Sequence, residues 1–172
     1  TAAVKKGAKL KDITLRNMDV RGLKAGKEIM KLTNVKFINV NLEKVDFSEF
    51  EPRECLFEKV NLRESNMTMA DASNVTFEED DFGRGNISKA TLYNCPIHKS
   101  YFTDANMEFS NIKYSFLDEV DFEGANLKDA ELLHCTISKS NFSKATLDGT
   151  SFESSLFKYT KFQQTKIENV YT

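Results

Sequence analysis

The sequence predicts an all-β solenoid of very short stacked strands, and two observations carry that prediction. Large apolar residues recur at every fifth position from Leu32 to Ile167: of the 28 positions in this series 26 are Leu, Ile, Met or Phe, and only Pro52 and Ala72 break it. The residue two places before each centre, from Met30 to Val170, is Ala, Ser, Thr, Cys, Val or Gly at 26 of 29 places, the exceptions being Met30, Phe50 and Asp80. An interval of five fits neither a helix, which repeats its face every three or four residues, nor a strand, which alternates.

The unit is therefore small, polar, large apolar, polar, polar. In "ANLKD AELLH CTISK SNFSK ATLDG" the small and the large residue stand two apart and point to the same side, as strand neighbours do, while the other three face water. Each pentad reads as a short strand plus a turn. Five residues cannot bury anything alone, so the units must stack and share one core.

Taken in order, residues 1–30 read as an opening coil or cap. In "GAKLKDITLRNMDVRGLKAG" the pairs Ala8/Leu10, Ile13/Leu15, Met18/Val20 and Leu23/Ala25 keep the five-residue spacing with its phase shifted by two. An irregular joint at "KAGKEIM" would absorb the shift, and a helix over part of the segment is possible. Eight Lys/Arg against three Asp/Glu give this segment a net charge of +5, as suits a solvated end that stops further strand pairing. Residues 31–172 then form the repeat array, with sixteen Lys/Arg against twenty-three Asp/Glu. The chain begins at Thr1, which suggests processing or a piece of something longer, and "KFQQTKIENVYT" stops in register without a capping helix. That end is expected to continue into further chain or to be covered by association.

Ala105-Asn106-Met107 and Ala125-Asn126-Leu127 match the Ala-Asp/Asn-Leu-x-x motif, and over about 140 residues the sequence resembles the pentapeptide-repeat family. That resemblance implies a right-handed quadrilateral β-helix with four pentads per coil, so that residues twenty apart stack. Twenty-eight pentads then make about seven coils, a tower on the order of 34 Å tall at the usual strand spacing. One column reads Leu42, Leu62, Phe82, Phe102, Phe122, Phe142, Phe162. Pro52 and Ala72 fall together on another face, where a bulge or widened turn is expected near "SEFEPRE", with Phe50 refilling the lost volume.

The chemistry-bearing residues have plainer readings. Cys55, Cys95 and Cys135 lie forty apart at the small inward position, roughly 10 Å from one another on the coil arrangement. That is too far for disulfides, so they read as core fillers, and free thiols fit a reducing compartment. His98 and His134 point outward as lone surface residues, with no pattern that makes either a metal ligand or a base. In "EEDD", residues 78–81, only Asp80 should face inward, where it must find hydrogen bonds, cap a turn or open the corner. The Asn-x-Ser/Thr triplets at Asn66, Asn74, Asn86 and Asn141 arise from the repeat itself. No catalytic, cofactor or metal site is expected.

What remains is surface. Tyr93, Tyr114, Phe116, Leu133 and Leu156 occupy outward slots near one corner, joined by His134. Single exposed apolar residues are ordinary, but a contiguous patch marks a binding surface. Tyr101 and Phe109 belong to other corners. Between Asn41 and Phe82, twelve Asp/Glu against four Lys/Arg could steer a basic partner or simply form a solvated face. No apolar run approaches the roughly 18 residues of a membrane span, and the amino terminus has no signal-type apolar region. The chain reads as soluble and cytoplasmic, in a bacterial cytosol or a host cytosol, without direct nucleic-acid or membrane binding. The residues thus point to a non-enzymatic scaffold with a protein partner. The family resemblance offers two finer readings. One is the partner- or substrate-recognition domain of a larger bacterial protein, such as a secreted effector of the ubiquitin-ligase type. The other is a DNA-mimicking protein that binds gyrase or another topoisomerase.

Overall fold

The computed structural model describes residues 9–22 and 31–172, and every element in them is a strand, bridge or turn. The chain climbs in square coils of twenty residues. Face one is a parallel sheet that includes Lys31–Thr33, Glu51–Arg53, Asp71–Ser73, Thr91–Tyr93, Asn111–Lys113 and Glu131–Leu133; face two is a parallel sheet running from Thr14–Arg16 through Lys36–Ile38 to Leu156–Lys158. Faces three and four pair through single bridges, such as Asn61 with Asp81 and Asn66 with Asn86. Coils one to seven begin at residues 31, 51, 71, 91, 111, 131 and 151.

The large residues fill the interior because their side chains all point into it. Phe82, Phe102, Phe122, Phe142 and Phe162 stack with centroid spacings of 4.5, 5.3, 4.6 and 5.3 Å, and Phe37, Phe57 and Phe77 form a second ladder at 4.7 and 5.3 Å. These spacings are the strand-to-strand distance, so ring stacking and backbone pairing share one period.

The opening coil shows the expected phase shift directly. Lys9–Lys11 and Thr14–Arg16 are strands, and they pair in parallel with Leu10 against Leu32 and Leu15 against Phe37, an offset of 22 rather than 20. The described part of this segment is strand and turn, not helix. The joint at "KAGKEIM" lies outside the described residues.

The bulge expected near Ser48–Glu54 does not form. Glu51–Arg53 is a regular strand, Pro52 is buried in it, and Phe50 packs into the interior 5.0 Å from the Phe47 ring. In neighbouring coils each core N–H donates to the carbonyl nineteen residues on, as Leu132 does to Ser151 at 2.8 Å. Pro52 has no N–H to give Asp71. Arg53 supplies it instead: its Nη1 donates to the Asp71 carbonyl, while Nη2 pairs with the Asp71 carboxylate at 2.8 Å. A neighbouring guanidinium thus closes the hole that would otherwise have widened the turn.

Candidate functional site

The four corners are built in two ways. At corners three and four the residue two before the turn is usually Asn or Asp. Its Oδ1 accepts the N–H two residues on, as Asn61 does from Arg63 (3.0 Å) and Asn141 from Ser143 (3.0 Å). The small residue then closes a four-residue turn, as in Ser65 N to Leu62 O (3.1 Å). A positive φ at the third turn residue, here Glu64 at 55°, makes it type II. These corners are satisfied by local bonds.

Corners one and two lack that internal bond in coils one to six; in coil seven corner one has it, Ser155 N donating to Phe152 O at 2.9 Å. Where the coil above carries a serine hydroxyl or a carboxylate in the same column, the small residue's N–H donates to it. At corner one Cys95 N donates to Ser115 Oγ (3.0 Å) and Cys135 N to Ser155 Oγ (2.8 Å). The thiols of Cys95 and Cys135 donate to carbonyls, including those of Tyr93 and Leu133, each at 3.4 Å. The cysteines are buried and free, as expected of core fillers, and burial pushes the Cys95 thiol up to about 11. A serine hydroxyl is therefore structural at corner one and surplus at corners three and four, where Ser65 and Ser110 Oγ are buried without partners. Replacing Ser115 by Ala should cost about 1–3 kcal/mol by stranding the Cys95 N–H. Ser110→Ala should be neutral or slightly stabilising, and paired chemical-denaturation curves check the contrast.

Along the outer edge of corner one the exposed apolar residues lie next to one another. Tyr93 meets Tyr114 edge-on at 5.4 Å, and Tyr114 stacks on His134 at 4.8 Å with the rings 5° from parallel. Tyr114, Phe116 and Leu156 are 52%, 49% and 53% exposed. Phe116 and Leu156 stand in one column with Thr136 between them. Leu133 is half-buried beside His134. All six residues expected at this edge thus lie along it in coils four to seven, and three of them touch in a continuous stack. Tyr101 and Phe109 are exposed on other corners, as expected.

The two histidines correct the sequence reading, which took both as lone. His134 is the upper ring of the stack. His98 sits in an acidic column, its Nδ1 3.2 Å from Asp118 and its Nε2 3.8 Å from Glu78, with Ser138 Oγ donating to Asp118. The rule that residues twenty apart stack places 78, 98, 118 and 138 in one line and could have found this ladder. Asp80 faces inward and the corner stays closed around it. Its Oδ1 accepts Val60 N–H (2.8 Å), Oδ2 accepts Glu78 N–H (3.2 Å), and its own N–H donates to Ser100 Oγ (3.1 Å). Burial holds its carboxyl well above the ordinary value; the two backbone donors pull it down, and Glu78 and Glu58 raise it further. Among the described residues, no group of three or more His, Cys, Asp or Glu is placed to hold a metal ion, and no helix is long and apolar enough to cross a membrane.

A four-faced tower of stacked five-residue units defines the class as a β-solenoid repeat protein. The family model of pentapeptide repeats matches residues 100–138 and 135–171 with eight copies. The chain is a pentapeptide-repeat protein. Among solved structures it is similar to full-length QnrB1, a plasmid-mediated fluoroquinolone resistance protein, at 17% identity over 91% of this chain and 94% of that one, with a TM-score of 0.46. It is also similar to HetL, involved in heterocyst differentiation regulation in Nostoc sp. strain PCC 7120 (16% identity, 96% and 89% covered, TM-score 0.30). A third is Rfr23 from Cyanothece 51142 (17% identity, 91% and 88% covered, TM-score 0.26). No curated protein matches the chain.

Proposed function

We propose that the chain is a non-enzymatic protein-interaction scaffold whose recognition surface is corner one. The observation that carries this reading is the Tyr93–Tyr114–His134 stack with Phe116 and Leu156 beside it, in slots the fold does not need filled. Aromatic anchors held on a rigid frame lose little freedom on binding, so their contact area converts efficiently into affinity. The hydrogen-bonding order also argues against a nucleophilic triad: Ser138 donates to Asp118 and not to His98, which lies between Asp118 and Glu78, so no imidazole stands beside that hydroxyl.

The finer reading, a recognition domain of a larger bacterial protein such as a secreted effector, draws its support from the sequence resemblance. A second reading, a DNA-mimicking partner of gyrase, is favoured by one observation, the excess of twelve Asp/Glu over four Lys/Arg between residues 41 and 82. Pull-downs with the wild type, Tyr114→Asp and Phe116→Asp separate these. A partner weakened about 30-fold or more by either substitution, at unchanged melting temperature, supports the corner. Unchanged recovery of every partner removes it. Inhibition of gyrase supercoiling that survives both substitutions transfers the function to the acidic coils.

A further inference from the structure

The aromatic stack of corner one is unfinished at its upper end. Its column reads Asn94, Tyr114, His134, Ser154 in coils four to seven. The lower ring is closed off by the edge of Tyr93, and the two rings cover each other. One coil higher the slot holds only a serine. His134 N–H donates to the Glu153 carbonyl at 3.1 Å, so coil seven lies directly above the histidine. The vacancy is bordered by the exposed Glu153 and by Leu156, and Glu153 has no ion-pair partner among the described residues, unlike Glu131, which holds Lys113 at 3.2 Å.

An open ring face beside a free carboxylate and an aliphatic wall is the complement of a planar cation. Guanidinium is flat, stacks on aromatic rings and pairs with a carboxylate through two parallel N–H groups; an ammonium is drawn to a ring face as a point charge but offers neither the flat stack nor the paired bond. The rest of the edge agrees in sign. Below the stack, residues 51–59 and 71–79 carry six Asp/Glu against two Lys/Arg, whereas the stretch beside it is balanced. A basic segment would therefore be drawn toward the lower coils as it docks.

Resting on the corner-one reading, we infer that the partner is a protein segment of basic and apolar character that places an arginine over His134 and against Glu153, taking the third place in the stack. Ser154→Tyr offers a direct block. That slot has φ +58°, close to the +54° of both Tyr114 and His134, so the backbone there already accepts aromatic side chains, and the new ring would occupy the arginine's place.

The test is selection of a random peptide library on the whole protein, followed by anisotropy titration of the enriched peptides against wild type and variants of unchanged melting temperature. The expected peptides contain an arginine near a Leu or aromatic residue. Their affinity falls about 10-fold or more when that arginine becomes lysine, and likewise for Ser154→Tyr and for Glu153→Gln. Peptides that need Tyr114 and Phe116 yet bind Ser154→Tyr and Glu153→Gln as well as the wild type overturn the arginine site and leave corner one standing. If no selected peptide depends on Tyr114, both readings fall. Should Ser154→Tyr fold poorly, Glu153→Gln with the arginine-to-lysine peptides decides the matter alone.

Discussion

Phe122→Ala is expected to lower stability by about 3–5 kcal/mol, the range for emptying a packed aromatic site. Its ring lies between Phe102 at 5.3 Å and Phe142 at 4.6 Å, and it is fully buried. The backbone of coils four to six is pinned at the strand spacing on both sides, as by Phe122 N to Asn141 O (2.7 Å) and Phe102 N to Asp121 O (2.7 Å), so collapse into the gap is opposed. In a stacked repeat each coil contacts only its neighbours, and the loss should therefore be local. Native-state hydrogen exchange should show faster exchange in coils four to six and slower change in coil two. A uniform loss of protection along the tower would mean that the coils unfold as one unit.

Acid should stabilise the protein at one site. Asp80 is buried and its carboxyl is held above the ordinary 3.8, so the folded state binds its proton more tightly than the unfolded chain does. The contribution is therefore most favourable below the unfolded value, near pH 3.8, and is lost as pH rises toward the raised folded value. Within that window the slope approaches about 1.4 kcal/mol per pH unit. Ser100 and Ser140 stand in the same column, where each accepts the N–H from the coil below and donates to the carbonyl two residues back. Asp80→Ser should reproduce both bonds without a charge to desolvate. The difference in unfolding free energy between variant and wild type should grow from acid to neutral pH in favour of serine. A difference that is flat with pH would show that the carboxyl ionises as readily inside as outside.

The stacked five-residue unit was legible because a strict interval of five over 28 centres fits neither a helix nor a long strand; that four units close one coil, so that residues twenty apart stack, came from the resemblance to the pentapeptide-repeat family. Which residues meet at corner one was legible in part: outward slots are known from the register, so Tyr114 and Phe116 could be placed on one edge. The ring contacts could not be, since Tyr93 and Tyr114 occupy adjacent columns and meet through side-chain rotation. The two corner types also went unread, although the signal was present. Asn or Asp precedes most centres on faces three and four, such as Asn61, Asn66, Asn86 and Asn106, whereas faces one and two place Thr76, Thr91, Phe116 and Thr136 there. The first group bends the chain through its side-chain oxygen; the second favours extended strand. Pro52 was misjudged for another reason. Its consequence depends on whether Arg53 can reach the Asp71 carbonyl, and reach is a property of the folded neighbourhood rather than of the pattern.

The left-handed residue that ends nearly every pentad is ordinarily reserved for glycine or asparagine. Here its N–H donates to the next coil, as from Lys44 to Arg63 O (2.9 Å) and from Tyr114 to Leu133 O (3.0 Å), and so Lys, Glu, Met, Phe, Tyr and His all occupy it. The backbone conformation is fixed by the neighbour and not by the side chain it carries. Each tower corner is thus a row of evenly spaced sockets whose contents can be exchanged one at a time, and a change of partner requires rewriting a few letters along one edge while the frame behind them stays the same.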